Sequence, residues 1–300
     1  MQRETVVFQN IPSRTAEAVC LMRAFEHGQP KRRRVVDDPY AQWFLRPMAR
    51  AALLYENAAP QIGRYTDWAT DGLLQFVIAR HRFMDDALTR ALRAGIEQVV
   101  LLGAGYDMRA YRLAELLRER PVFEVDHPAT GRRKARIIAQ HAKDLPAVNL
   151  RRVEVDFEKQ SFRQLLRKAG FRERRKTFFV WEGVSMYLTR SSVKKTLQAL
   201  RAMSGLGSQV VLDLWYLPDE HDLLSAARRF SSNLLALLGE PITFGIHPED
   251  AEPFFQRLGF RLREVATADV LRKRYFPPKT HIYPTNYVVH AVTDARSRRR

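Results

Sequence analysis

One cysteine in 300 residues leaves nothing to build a disulfide framework from. No stretch reaches the roughly 20 uncharged apolar residues that a membrane-spanning helix needs. The opening residues Met1-Gln-Arg-Glu-Thr lack the charged-then-apolar order of a signal peptide. These absences set the expectation of a soluble cytoplasmic protein without a membrane partner, with Cys20 packed in a helix rather than activated. There is no internal repeat, and the Arg-rich tail Arg296–Arg300 is the one low-complexity segment. What the chain does have is apolar residue, at 46%, which offsets the entropy of ordering it and excludes disorder. It also has cationic charge: 50 Lys and Arg against 33 Asp and Glu, a net +17. That balance raises nucleic acid or an anionic surface as a partner.

The rhythm of apolar residues changes once along the chain. Residues 1–95 read as mostly helical, with breaks at His27–Pro30 and around 57–63. From Asp67 to Ala94, residues such as Trp68, Leu73, Phe76, Val77, Phe83 and Leu88 recur at helical spacing. After Gly95, short apolar runs alternate with helical stretches. Strands are expected at Gln98–Leu102, Val122–Val125, Leu150–Val155, Phe178–Trp181, Gln209–Leu214, Phe260–Val265 and Tyr287–Val292. Helices are expected near 109–119, 129–142, 161–169, 190–203, 220–238 and 248–258. Alternation of this kind builds βαβ units, hence an α/β, doubly wound, Rossmann-like sheet with helices on both faces. The economical organisation is one domain over 1–300, with a helical cap (1–95), a core (96–294) and a basic tail (295–300). The last two strands, on either side of Pro277-Pro278, suit an antiparallel pair.

The first strand runs into Gly103-Ala-Gly105-Tyr-Asp107, a glycine turn with a helix starting near Met108 or Arg109. Glycine serves where a tight turn needs unusual φ/ψ and a ligand approaches the backbone. A dinucleotide fingerprint would place a third glycine at Met108, so a pyrophosphate ligand is disfavoured and a nucleoside without phosphates fits better. A purely structural turn is the alternative. The second strand ends in Asp126, 21 residues after Gly105, where a doubly wound fold grips ribose hydroxyls. The third ends in Asp156-Phe157, an acid for an amino group beside an apolar residue for a ring. Asp156 also has a reading as a helix cap. Three successive strand ends carrying Gly, Asp and Asp describe a ligand crevice.

Taken together, Asp37-Asp38-Pro39-Tyr40, Ala79–Phe83, Leu102–Arg109, Phe123–Pro128, Glu182–Leu188 and Phe244–Glu249 resemble the leucine carboxyl methyltransferase family. Within it they are similar to the bacterial S-adenosylmethionine-dependent branch, including polyketide-type O-methyltransferases. The segments run in the family's order along nearly the whole chain. The resemblance implies a class I methyltransferase fold with seven strands in the order 3-2-1-4-5-7-6, the last antiparallel, under a helical cap. It implies S-adenosylmethionine as cofactor. It matches Arg80 to the methionyl carboxylate, Gly103 and Gly105 to the cofactor turn, Asp126 to the ribose, Asp156 and Phe157 to the adenine, and Glu182 to the methionyl end. Arg82 competes with Arg80, and Asp107 has a reading as a helix cap.

The expected chemistry is in-line methyl transfer to a carboxylate or hydroxyl of a small-molecule acceptor. An ionised carboxylate needs no general base, whereas a hydroxyl benefits from one. Base candidates are His247, His127 and Glu182, and Tyr187 is placed to line the methyl pocket. Residues 1–66 and Trp215–Pro253 are expected to form the acceptor pocket. Alternatives are a methyltransferase acting on RNA or on a protein carboxylate, and a non-catalytic S-adenosylmethionine-binding protein. A nicotinamide oxidoreductase is disfavoured by Met108. No metal cluster is expected. Residues 132–176 hold 15 Lys and Arg against 5 Asp and Glu. In the expected strand order they fall at the sheet edge, away from the acceptor pocket, so the charge reads as a solvated face and nucleic acid is disfavoured.

Overall fold

The computed structural model describes residues 14–54, 71–155, 160–216 and 242–293. Helix α1 spans Arg14–His27, α2 spans Pro47–Leu54 and α3 spans Leu73–Arg93. Strand β1 (Gln98–Leu102) follows, then the short helices α4 (Arg109–Arg112) and α5 (Ala114–Leu117). Next come β2 (Val122–Asp126), α6 (Pro128–Gln140), β3 (Leu150–Glu154) and α7 (Phe162–Lys168). The chain continues through β4 (Thr177–Trp181), α8 (Arg190–Met203) and β5 (Gln209–Trp215). It closes with α9 (Pro248–Arg257), β6 (Phe260–Ala266), α10 (Ala268–Tyr275) and β7 (Asn286–Thr293).

The seven strands form one sheet in the order β3-β2-β1-β4-β5-β7-β6. Strands β1 to β5 are parallel, and β7 inserts antiparallel between β5 and β6. Because side chains alternate along a strand, each central strand feeds two cores. Val99, Leu101, Phe178, Val180 and Val211 pack toward α3 and its Phe76, Phe83 and Leu88. Val100, Leu102, Phe179, Trp181, Val210 and Leu212 pack on the other face with Leu197 and Leu200 of α8 and Phe254 of α9. Burial on both faces is why these strands read as unbroken apolar runs.

Strand positions follow the sequence expectation to within a residue or two. The expected helix over 109–119 is instead two short helices that break at Leu113. Helix α10 was not anticipated: only Leu271 of Ala-Asp-Val-Leu-Arg-Lys-Arg-Tyr is fully buried, too little apolar periodicity to register. The expected helix at 220–238, the break near 57–63, residues 67–70 of the Asp67–Ala94 helix and the basic tail lie outside the described residues. The 132–176 segment does sit at a sheet edge, with Arg151 and Arg152 exposed on β3, where charge protects an open edge from pairing. The central Phe179 is 1% exposed. Phe179→Ala is expected to cost about 3–5 kcal/mol, read as a lower urea midpoint with unchanged slope.

Candidate functional site

The strand order reverses between β1 and β4, and a doubly wound sheet opens a crevice at such a point, above the strand C-termini. A cavity of about 580 Å³ lies there, between the end of β1, the end of β2, the end of β4 and helix α1. That size suits a small-molecule site. Its lining brings together Arg80, Gly103, Gly105, Asp126, Glu182 and Tyr187. Asp156 and Phe157 lie outside the described residues. The structure does not bring His247 to this lining: its ring sits 5.0 Å from that of Tyr216 and 3.8 Å from Glu249, at the start of α9. Thr15, Ala16, Val19 and Arg23 of α1 form one wall; none of the described residues of Trp215–Pro253 lines this cavity, and 217–241 lie outside the described residues.

The glycine turn has the backbone that its residues require. Gly103 has φ +62 and Gly105 has φ +47, a region costly for residues with a Cβ. A Cβ on Gly103 would stand 2.4 Å from Cγ2 of Val184, so the turn and the segment after β4 approach each other as closely as glycine permits. Asp126 closes the turn. Its Oδ2 accepts from the Gly105 amide at 2.5 Å and its Oδ1 from the His127 amide at 2.6 Å. Burial raises its pKa above the ordinary 3.8. Each oxygen keeps a lone pair for a ligand hydroxyl. Lys134 of α6, itself buried, donates to the Asp107 carbonyl at 2.5 Å and to Glu124 at 2.7 Å, pinning the far end of the turn.

Beneath the cavity floor lies a cluster of buried charge. Arg109, fully buried on α4, binds Asp85 at 2.5 Å, Glu182 at 2.9 Å, and Asp107. Arg80 donates to Glu182 at 3.2 Å and to Asp213 of β5 at 2.7 Å. Arg112 reaches Asp85 at 2.8 Å, and Arg23 of α1 reaches Asp38 at 2.9 Å and the Tyr106 carbonyl at 2.9 Å. Arg82 is not part of this: it is exposed and bonds Asp86 and the Val35 carbonyl, which resolves its competition with Arg80 for a place on the cavity. Asp107 accepts from the Arg109 amide at 2.7 Å, so it caps α4 and joins the cluster at once. Cys20 is buried beside Arg23, and burial pushes its thiol up to about 12. It is a packing residue.

Burial works against ionisation of these acids; the donors facing Glu182 and Asp85 reverse that, while Asp213 stays above its ordinary 3.8. His81, Arg109 and Arg80 hold Glu182 well below its ordinary 4.5, and Arg112 and Arg109 do the same for Asp85. Glu182 is thus a poor proton acceptor near neutral pH, and the geometry removes it from the base candidates. His81, Arg109, Asp213 and Lys134 were not singled out for a role from sequence. The available signal was charge on a buried stripe: Val77, His81, Asp85 and Leu88 share one side of α3, and Thr130, Lys134 and Ile138 one side of α6.

With this geometry in hand, likeness to known proteins can be placed. The leucine carboxyl methyltransferase family matches residues 16–201, well over half of the chain. A protein of Mycolicibacterium paratuberculosis is 31% identical over 200 residues, 66% of this chain and 65% of its own length. One from Mycobacterium avium is 30% identical over 251 residues, 81% of this chain and 82% of its own. Both bear the name S-adenosyl-L-methionine-dependent methyltransferase. The crystal structure of a DUF574-family protein from Streptomyces avermitilis superposes with a TM-score of 0.58 at 16% identity, covering 91% of this chain and 97% of that one, a likeness of fold. The chain belongs to the leucine carboxyl methyltransferase family, and its class is that of the S-adenosylmethionine-dependent methyltransferases.

Two outcomes test the site's construction. Gly103→Ala is expected to lose about 1–2 kcal/mol from φ strain alone, with a larger fall in cofactor affinity, by thermal unfolding and calorimetry. The depressed Glu182, Asp85 and Asp38 stabilise the fold fully above their ordinary 4.5 and 3.8, and that contribution is lost as pH falls further. Urea midpoints are therefore expected to drop steeply below about pH 4.5, and Arg109→Met, at about 3–5 kcal/mol, to lower stability throughout.

Proposed function

We propose that the protein transfers the methyl group of S-adenosylmethionine to an oxygen of a small molecule, and that this oxygen belongs to a carboxylate. The cavity residues fit the cofactor. Gly103 and Gly105 leave their backbone open to close approach, and Asp126 sits beside them with free lone pairs for ribose hydroxyls. Arg80, at the cavity wall, is assigned to the methionyl carboxylate, with Glu182 and Tyr187 near it. Asp156 and Phe157 are assigned to the adenine on sequence grounds alone. Bound S-adenosylmethionine supplies a methyl group already activated on a sulfonium. The chain's task is then to align the acceptor and exclude water.

The observation that carries the carboxylate reading is that every acid and imidazole in the described cavity lining is already engaged. Asp107 and Glu182 are paired with Arg109. Asp126 holds two amides. His81 is wedged between Glu182 and Arg112, and Nδ1 of His127 accepts from the Ala129 amide at 3.3 Å, which leaves the hydrogen on Nε2. A hydroxyl acceptor would need a base that these residues do not offer, while a carboxylate arrives ionised. None of the described basic residues of 132–176 lines this cavity, which supports a small molecule over a polyanion.

The test is turnover against a panel of carboxylic acids and matched alcohols, with mass identification of methylated species. Esters are expected from the acids, with a rate flat across neutral pH. Methylation of alcohols alone would overturn the carboxylate reading. Asp126→Ala is expected to weaken S-adenosylmethionine binding about 10- to 100-fold by calorimetry, and unchanged affinity would remove Asp126 from the site. His247→Ala is expected to leave ester formation intact.

A further inference from the structure

His81 is fully buried on α3, and its two ring nitrogens have opposite neighbours. Nδ1 lies 3.0 Å from Oε2 of Glu182 and 3.1 Å from Nη2 of Arg109, whose own hydrogen goes to that same Oε2 at 2.9 Å, and Nε2 lies 2.6 Å from Nη2 of Arg112. A carboxylate only accepts and a guanidinium only donates, so the ring carries its hydrogen on Nδ1, leaves Nε2 as an acceptor, and is neutral. Burial, together with Arg109, holds it below its ordinary 6.5 despite the pull of Glu182 and Asp85.

The charged groups facing His81 come from every element packed against it. They are Arg80 and Asp85 of α3, Asp107, Arg109 and Arg112 of the turn and α4, and Glu182 after β4, with Arg23, Asp38 and Asp213 one contact further out. The five carboxylates, each within ion-pair reach of a guanidinium group, outnumber the four guanidinium groups by one. With His81 neutral, the cluster holds one negative charge in excess. S-adenosylmethionine brings a sulfonium, an ammonium and a carboxylate, a net positive charge. Its demethylated product is a thioether with no net charge.

We infer that His81 is a positioning residue of the cofactor site, its neutral ring fixing the Glu182 carboxylate and preserving the excess negative charge that favours the cationic cofactor over its product. A proton on Nε2 would set two N–H groups against each other 2.6 Å apart and cancel that charge. Preference for cofactor over product then falls as the ring protonates. The inference rests on the assignment of Glu182 to the cofactor cavity.

The experiment is calorimetric titration of S-adenosylmethionine, and separately of S-adenosylhomocysteine, into the wild type and His81→Gln. Glutamine can donate to Glu182 and accept from Arg112 without titrating. In the wild type the ratio of the two affinities is expected to fall severalfold as the pH drops from about 7.5 to about 5. In His81→Gln it is expected to hold its high-pH value throughout. Parallel slopes in the two proteins, or a flat ratio in the wild type, would overturn the inference. If the variant does not fold, the wild type decides alone through proton exchange near pH 6, measured in two buffers of different ionisation heat. Greater proton release with the cofactor than with the product supports the role, and equal release overturns it. Binding of neither ligand would instead defeat the site assignment on which it rests.

Discussion

Arg109 donates to Asp85, Asp107 and Glu182 from inside the protein, and much else in the molecule is arranged around that one guanidinium. An isolated charge in that position would be prohibitively costly, and so would any one of its partners left alone. The cluster is therefore all or nothing, and it draws members from α1, α3, α4, the residue after β4, and β5. Arg23 binds both Asp38 and the carbonyl of Tyr106. The helices before the first strand are thereby tied to the turn that faces the cavity.

The turn itself depends on close approach. Gly103 meets Val184 with no room for a Cβ, and Asp126 and Lys134 fasten the turn at its two ends. The two-sided core holds β1, β2 and β4 in register, which is what puts these ends at one level. A turn built this way is stiff where its backbone faces the cavity. Its acidic residues are committed to structure and carry charge without being available to carry protons. That division suits a reaction whose activation resides in the cofactor.

Legibility from sequence divided along physical lines. Strands β1, β4 and β5 were readable because each is short, largely apolar and buried on both faces, whereas β3 and β6 carry exposed arginines. Gly103, Gly105, Asp126 and Glu182, by their types at strand ends, and Arg80 of α3, by a family pattern, could be expected together, and they do line one cavity. Arg80 could not be separated from Arg82 by spacing; only the rotation of α3 against the sheet shows which one faces the cavity. Helix α10 carried too little apolar pattern, and His247, attractive beside Gly245 and Pro248, is directed to Tyr216 and Glu249 by the position of α9.

The amino-acid order alone determined the sheet, its βα alternation and the glycine turn, because those depend on local spacing and on which residues shun water. It could not determine the partners of His81, Arg109, Asp213 and Lys134, because their sequence neighbours do not show what they meet. Whether such a residue is solvated, capped or buried against an opposite charge depends on groups tens of residues distant, as Arg80 does on Asp213, 133 positions away. Electrostatic pairing in a low-dielectric interior is a property of assembled surfaces. Only the tertiary structure turned a basic, charge-rich sequence into a cluster of buried, paired ions beside a cavity at the strand C-termini.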